Sequence, residues 1–141
     1  ILSLMENQKL VAEGAGAVPV AAALFRKLPI EGKKVVCLIS GGNIDVNILN
    51  RVITRGLVMS GRKANLTIAL EDKPGQLERV AAIVSRCGSN VVSVLHDGSD
   101  PNMPISSCFL KLALETRDHA QIEQIRQELT KEGFQLVAER V

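Results

Sequence analysis

The sequence has 141 residues, 46% of them apolar, with 17 Lys and Arg against 15 Asp and Glu, enough for one packed, soluble domain or two small ones. With no Trp, no Tyr, three Phe and no long basic run, it lacks a stacking platform for single-stranded nucleic acid. No apolar stretch is long enough for a transmembrane helix, and the first residues lack the layout of a secretory signal.

Residues 1–12 read as the end of an amphipathic helix, with the expectation that the protein begins upstream of Ile1. Glu13-Gly14-Ala15-Gly16-Ala17 follows as a small-residue turn where backbone can approach a bulky group. Ala17 to Lys27 reads as a helix packed through its alanines. Its start is set near Ala17 so that Pro19, which lacks an N–H, falls in the first turn. Lys34-Val-Val-Cys-Leu-Ile-Ser40 is a continuous apolar run, as expected of a strand covered on both faces. It ends in Ser40-Gly41-Gly42-Asn43, a Gly-rich corner of the kind where open α/β sheets bind ligands. Ile44 to Thr54 then resumes helical spacing through Val46, Leu49, Val52 and Ile53. One strand cannot make a doubly wound sheet, so the remainder of that sheet is expected before Ile1.

Residues 55–63, with two glycines and Ser60, read as a connector. Formal charge also changes there, from +5 over residues 1–63 to −3 over residues 64–141, as expected of two units with different surroundings.

From Ala64 to Leu70, Leu66, Ile68 and Leu70 alternate with polar or small residues, the period of a half-buried strand. Asp72-Lys73-Pro74-Gly75-Gln76-Leu77 closes that strand and opens a helix running to Cys87. Pro74 loses no useful N–H there, and Gly75 lets backbone come close to another group. Several amide donors can therefore stay unpaired at a positive helix end, where a carboxylate can sit. An ordinary strand-to-helix turn satisfies the same six residues. Gly88 ends the helix, Asn90 to Leu95 makes a second strand, and Ile105 to Glu115 a third. Asp118 caps a helix with Ile122, Ile125 and Leu129 facing inward; Gly133 ends it, and Gln135 to Val141 is the fourth strand. The order is βαββαβ, an α+β, ferredoxin-like arrangement. Cys37, Cys87 and Cys108 form no CxxC pair and read as reduced cytosolic thiols. His96 and His119 have no third ligand at useful spacing, so no metal site is expected.

Taken together, these stretches resemble the carboxyl-terminal part of a threonine ammonia-lyase (threonine dehydratase) with a single ACT domain. Glu13 to Ala17 and Ser40-Gly41-Gly42-Asn43-Ile44-Asp45 resemble two late motifs of fold-type II pyridoxal-phosphate enzymes. Arg55-Gly56-Leu57-Val58 with Gly61-Arg62 resembles the linker of the single-ACT form. Asp72 to Leu77, Gly88-Ser89-Asn90-Val91 and His96-Asp97 resemble the regulatory domain.

The resemblance implies a last αβα piece of the catalytic domain at residues 1–54, a linker at 55–63 and an ACT domain at 64–141. It gives the Ser40 hydroxyl the pyridine nitrogen of pyridoxal 5'-phosphate as partner, Gly41 and Gly42 the wall beside the ring, and Glu13 a place near the cofactor pocket. Other readings of Ser40 and Glu13 are a helix cap and a polar turn residue. The parent would convert L-threonine, or L-serine as a close neighbour, by loss of the Cα proton and β-hydroxyl, giving from threonine 2-oxobutanoate and ammonia. The Schiff-base lysine and the phosphate loop of such enzymes would lie upstream, so the 141 residues alone are expected to retain no cofactor and to be inactive. For the ACT part it implies an amino-acid effector, isoleucine or valine, held by Asp72, Gly75, Gln76, Leu77 and Asn90. It further implies homo-oligomers paired through ACT domains and a cytoplasmic setting. A noncatalytic amino-acid sensor or dimerisation module is the alternative.

Overall fold

The computed structural model describes residues 1–101 and 103–137. The chain divides into two compact units, Ile1–Gly56 and Leu57–Val141.

The first unit is helical, with α1 (Leu2–Gln8), α2 (Gly14–Leu24) and most of α3 (Val46–Met59). Lys9 ends α1 in the left-handed conformation, four residues before the expected end. Helix α2 begins at Gly14 rather than Ala17, capped by extended Glu13, which leaves Pro19 inside the helix. Pro19 cannot bond the carbonyl one turn back, and the residue there, Ala15, adds little crowding. Asp45 begins α3: its Oδ1 accepts from the amides of Asn47 at 2.9 Å and Ile48 at 3.2 Å. The helix runs on to Met59, five residues into the expected connector, because a single Gly56 among helix formers costs only about 1 kcal/mol.

Lys34 to Ser40 is not a strand here. A strand needs an edge to pair with, and no strand among the described residues of this unit offers one. Val36 and Leu38 are exposed, while Cys37 and Ile39 are half-buried. A small apolar cluster of Leu4, Ala12 and Ala17, with Ile1, Val20 and Ile39 against it, gives this unit its interior.

The second unit is α+β and ferredoxin-like. Strands β1 (Lys63–Glu71), β2 (Asn90–Asp97), β3 (Ser107–Glu115) and β4 (Gln135–Val137) form one antiparallel sheet ordered β2-β3-β1-β4. Helices α4 (Gln76–Arg86) and α5 (His119–Lys131) complete the βαββαβ order. The expected fourth strand extends beyond Val137 into residues outside those described. The third starts at Ser107 rather than Ile105, whose side chain is fully exposed.

The alternation read in β1 is the register of the sheet. Leu66, Ile68 and Leu70 face Leu112, Leu110 and Cys108 across the β1–β3 pair, and Val80, Ile83 and Val84 from α4 and Ile125 and Leu129 from α5 join the same core. Each fully buried large aliphatic there contributes about 1.5–3 kcal/mol. Asp118 caps α5 as expected, its Oδ1 accepting from Gln121 N at 2.8 Å.

Gln121 departs from the helical pattern. It is buried, its Nε2 donates to the Cys87 carbonyl at 2.7 Å, and its Oε1 accepts from the Arg117 amide at 2.7 Å. One side chain thus serves both the end of α4 and the turn into α5, while Ile122, expected inward, is only half-buried. Nearby, Thr116 Oγ1 donates to the Gly61 carbonyl at 2.7 Å, tying the β3–α5 turn to the segment before β1.

Candidate functional site

Two groups of residues singled out in the sequence can be located. In the first unit, Glu13 N donates to the Gly41 carbonyl at 3.0 Å, so the α2 turn and the Gly-rich corner lie against each other. A Cβ at Gly41 would meet Glu13 Oε1 at 2.5 Å and displace that side chain, and one at Gly42 would meet the Val11 carbonyl at 2.8 Å and force the backbones apart. Ser40 beside them is exposed, and Asp45 takes the capping role otherwise open to Ser40. Among these residues an exposed hydroxyl, a carboxylate and bare glycine backbone suit one wall of a heteroaromatic cofactor site. They supply neither a covalent anchor nor a phosphate cradle.

In the second unit the site is the turn from β1 to α4. Gly75 is the N-cap of α4 at φ 88°, a conformation that favours glycine, and a Cβ there would meet nothing within 4 Å. No side chain caps α4, so its first amides face outward at the positive end of an 11-residue helix. A cavity of about 180 Å³ lies beside them, bordered by Asp72, Gly75, Gln76, Leu77, His96 and Leu110. Gln76 also borders two larger hollows next to Arg79 and Glu132, and its Oε1 is buried without a partner among the described residues.

Asp72, Gly75, Gln76 and Leu77 therefore come together, and Asn90 does not join them. Asn90 pairs with Glu115, which pairs with Lys63 at the start of β1, whereas Asp72 follows the end of that strand. The separation along the strand is roughly 31 Å at about 3.4 Å per residue. Asn90 Nδ2 instead donates to Glu115 Oε2 at 3.0 Å. A ligand touching both Asp72 and Asn90 would need two chains.

His96 was missed as a member of this site. Its Nε2 donates to Asp72 Oδ1 at 3.1 Å, with both side chains about half exposed. The cause is a β-bulge between Val91 and Ser93, which leaves Val92 unpaired and shifts the remaining pairs by one. His96 consequently faces Leu110 on the helix-covered side; an unbroken ladder would put Leu95 there.

Cys108 lies on the same side, opposite Leu70. Ligand atoms of Asp72, His96 and Cys108 all fall within 4.8 Å of one another, so His96 has two neighbours of metal-ligand type that its spacing from His119 does not reveal. Sequence spacing hides the group because three separate segments supply it. Burial first, and then the charge of Asp72, push the Cys108 thiol pKa up.

The second unit is thus an α+β domain with an open helix end beside a small cavity. No protein-family model matches the chain. Over 136 residues, 96% of the chain, it is 48% identical to an L-threonine ammonia-lyase of Thermotoga maritima, and over 134 residues 40% identical to one of Geobacter sulfurreducens. Over 77 residues, 55% of the chain, it is 43% identical to the L-threonine dehydratase biosynthetic IlvA of Lactococcus lactis, of which the match covers 18%. The chain is homologous to part of the L-threonine ammonia-lyases. It spans about a third of the length of the first two, 34% and 33%. Among the described residues no helix is long and apolar enough to cross a membrane.

Proposed function

We propose that the chain is the carboxyl-terminal, regulatory part of a pyridoxal-phosphate-dependent threonine (serine) ammonia-lyase working in the cytoplasm. The observation that carries this reading is homology along 96% of the chain to proteins named L-threonine ammonia-lyase. Residues 1–54 would belong to the cofactor domain, 55–63 to a linker and 64–141 to an ACT domain. Exposed Val18, Leu24, Phe25, Val36 and Leu38 in the first unit support its membership of a larger α/β domain that covers them.

Bound pyridoxal phosphate supplies the electron withdrawal that acidifies the Cα–H of an amino acid. Ser40 would meet its ring nitrogen with a hydroxyl, which does not hold that nitrogen protonated as a carboxylate would. Gly41 and Gly42 would keep the wall beside the ring low, and Glu13 would border the pocket. The covalent anchor and phosphate site would come from elsewhere in the enzyme, so the 141 residues alone would neither keep the cofactor nor turn over threonine.

In the second unit the uncapped amides of Gln76 and Leu77 suit an α-carboxylate, and Asp72 suits an α-ammonium group. Isoleucine or valine is the proposed effector. Asn90 would contribute from a second copy, making the site a feature of a homo-oligomer. Calorimetry of the chain with isoleucine, valine, threonine and serine tests the regulatory half of the reading, with saturable binding of a branched amino acid expected and silence across the panel overturning it. Formation of 2-oxobutanoate from threonine by the whole enzyme tests the catalytic half, and its absence overturns that half.

A noncatalytic amino-acid sensor is the second reading. It is favoured by the self-contained core of the second unit, built from residues between Leu66 and Leu136, and a whole protein that binds isoleucine but leaves threonine unchanged would establish it.

A further inference from the structure

We propose that Asp72, His96 and Cys108 form a binding site for a divalent transition metal ion of the zinc class, with one coordination position open to the cavity at the start of α4.

The donor set is a carboxylate, an imidazole and a thiol, each an established zinc ligand type, with ligand atoms all within 4.8 Å of one another. Tetrahedral bonds of about 2.0–2.3 Å put neighbouring ligand atoms roughly 3.3–3.8 Å apart. His96 Nε2 and Asp72 Oδ1, at 3.1 Å, are already close to that spacing, and the remaining closure is at most about 1.5 Å.

Sheet register sets the geometry. Cys108 is fixed on central strand β3 and fully buried, while His96 is brought to the same side by the bulge at Val92. Asp72 follows β1, with its amide donating to the Ser106 carbonyl at 2.8 Å. Two ligands thus stand on paired strands and the third on a turn anchored to the same sheet end. Soft sulfur with imidazole selects zinc, cobalt or copper over magnesium or calcium.

Loading balances simply. The ion takes the place of the hydrogen between His96 Nε2 and Asp72, the neutral imidazole shifts that one hydrogen to Nδ1 by exchange with solvent, and the Cys108 thiol releases its proton to solvent, one proton in all. Two anionic ligands neutralise the dication. The fourth position faces the cavity bordered by Asp72, Gln76 and His96, where water can complete the shell.

Cobalt(II) titration of the metal-free 141-residue chain tests this site without any amino acid present, so it stands or falls separately from effector binding. The expected result is a near-ultraviolet sulfur-to-cobalt charge-transfer band with intense visible bands, saturating at one ion per chain and abolished by equimolar zinc(II). Cys108→Ser should lose the charge-transfer band, while Cys87→Ser keeps it. His96→Gln, at a half-exposed position, should retain the circular dichroism of the parent and bind cobalt at least about tenfold more weakly. Absence of the charge-transfer band in the parent chain, its persistence in Cys108→Ser, or unchanged affinity in folded His96→Gln would overturn the assignment.

Discussion

His96 Nε2 reaches Asp72 Oδ1 at 3.1 Å across 24 residues of sequence, joining the second strand to the turn after the first. Both side chains are about half exposed, and such pairs contribute at most about 1 kcal/mol. His96→Gln is therefore expected to shift the denaturant midpoint only slightly, with an unchanged slope. A loss of several kcal/mol would mean that the pair supports the fold rather than a ligand.

Two glycines at positive φ should respond very differently to alanine. At Gly75 a Cβ has open space, so Gly75→Ala is expected to cost only the conformational penalty, about 1–2 kcal/mol. At Gly61, φ 69°, the Cβ would lie 2.4 Å from His119 N and 2.8 Å from the Asp118 carbonyl carbon, both backbone atoms. Gly61→Ala must move the start of α5 and is expected to be the more destabilising by at least about 2 kcal/mol. Equal midpoints in urea would contradict this.

Gln121→Leu removes the partners of the Cys87 carbonyl and the Arg117 amide together. Leaving these groups unpaired is expected to cost about 2–4 kcal/mol, even though leucine forms helix better than average. Equilibrium unfolding measures the loss, and stability within about 0.5 kcal/mol of the parent would refute the bridging role.

The Lys111 ammonium, and then the Ser99 hydroxyl and amide, hold the Asp97 carboxyl well below the usual carboxylate range. Because the folded pKa lies below the unfolded value of about 3.9, the stabilisation is present above that value and lost as pH falls through the folded one. The stability gap between the parent and Asp97→Asn should accordingly be widest near neutrality and shrink below about pH 4. A gap that stays constant down to about pH 2 would exclude this linkage.

Because Asn90 and Asp72 lie at opposite ends of one sheet, an effector that uses both must be held by two copies. Isoleucine affinity is then expected to strengthen with chain concentration, and Asn90→Ala to weaken it. Affinity independent of chain concentration, with Asn90→Ala silent, would confine the site to one chain and leave Asn90 out.

What could be read beforehand was what local chemistry decides. The alternation of Leu66, Ile68 and Leu70 survives because one side of β1 meets helices and the other does not. Asp118 was legible because a cap acts within three residues of itself. Lys34 to Ser40 misled because a continuous apolar run specifies a strand only when neighbouring strands are beside it. Gln121 was invisible because a polar residue on a helix ordinarily faces water, and here its partners come from two other segments. The candidate effector turn was found from Pro74 and Gly75, but its companions His96 and Cys108 arrive only through strand register, which the sequence of β2 does not declare.

The unpaired Val92 therefore works as a phase marker for everything that follows it in its strand. Were that residue drawn into the ladder opposite Ala113, Leu95 would stand opposite Leu110 in place of His96, trading an imidazole for an isobutyl group and turning a polar sheet end greasy without altering any side chain at the site itself.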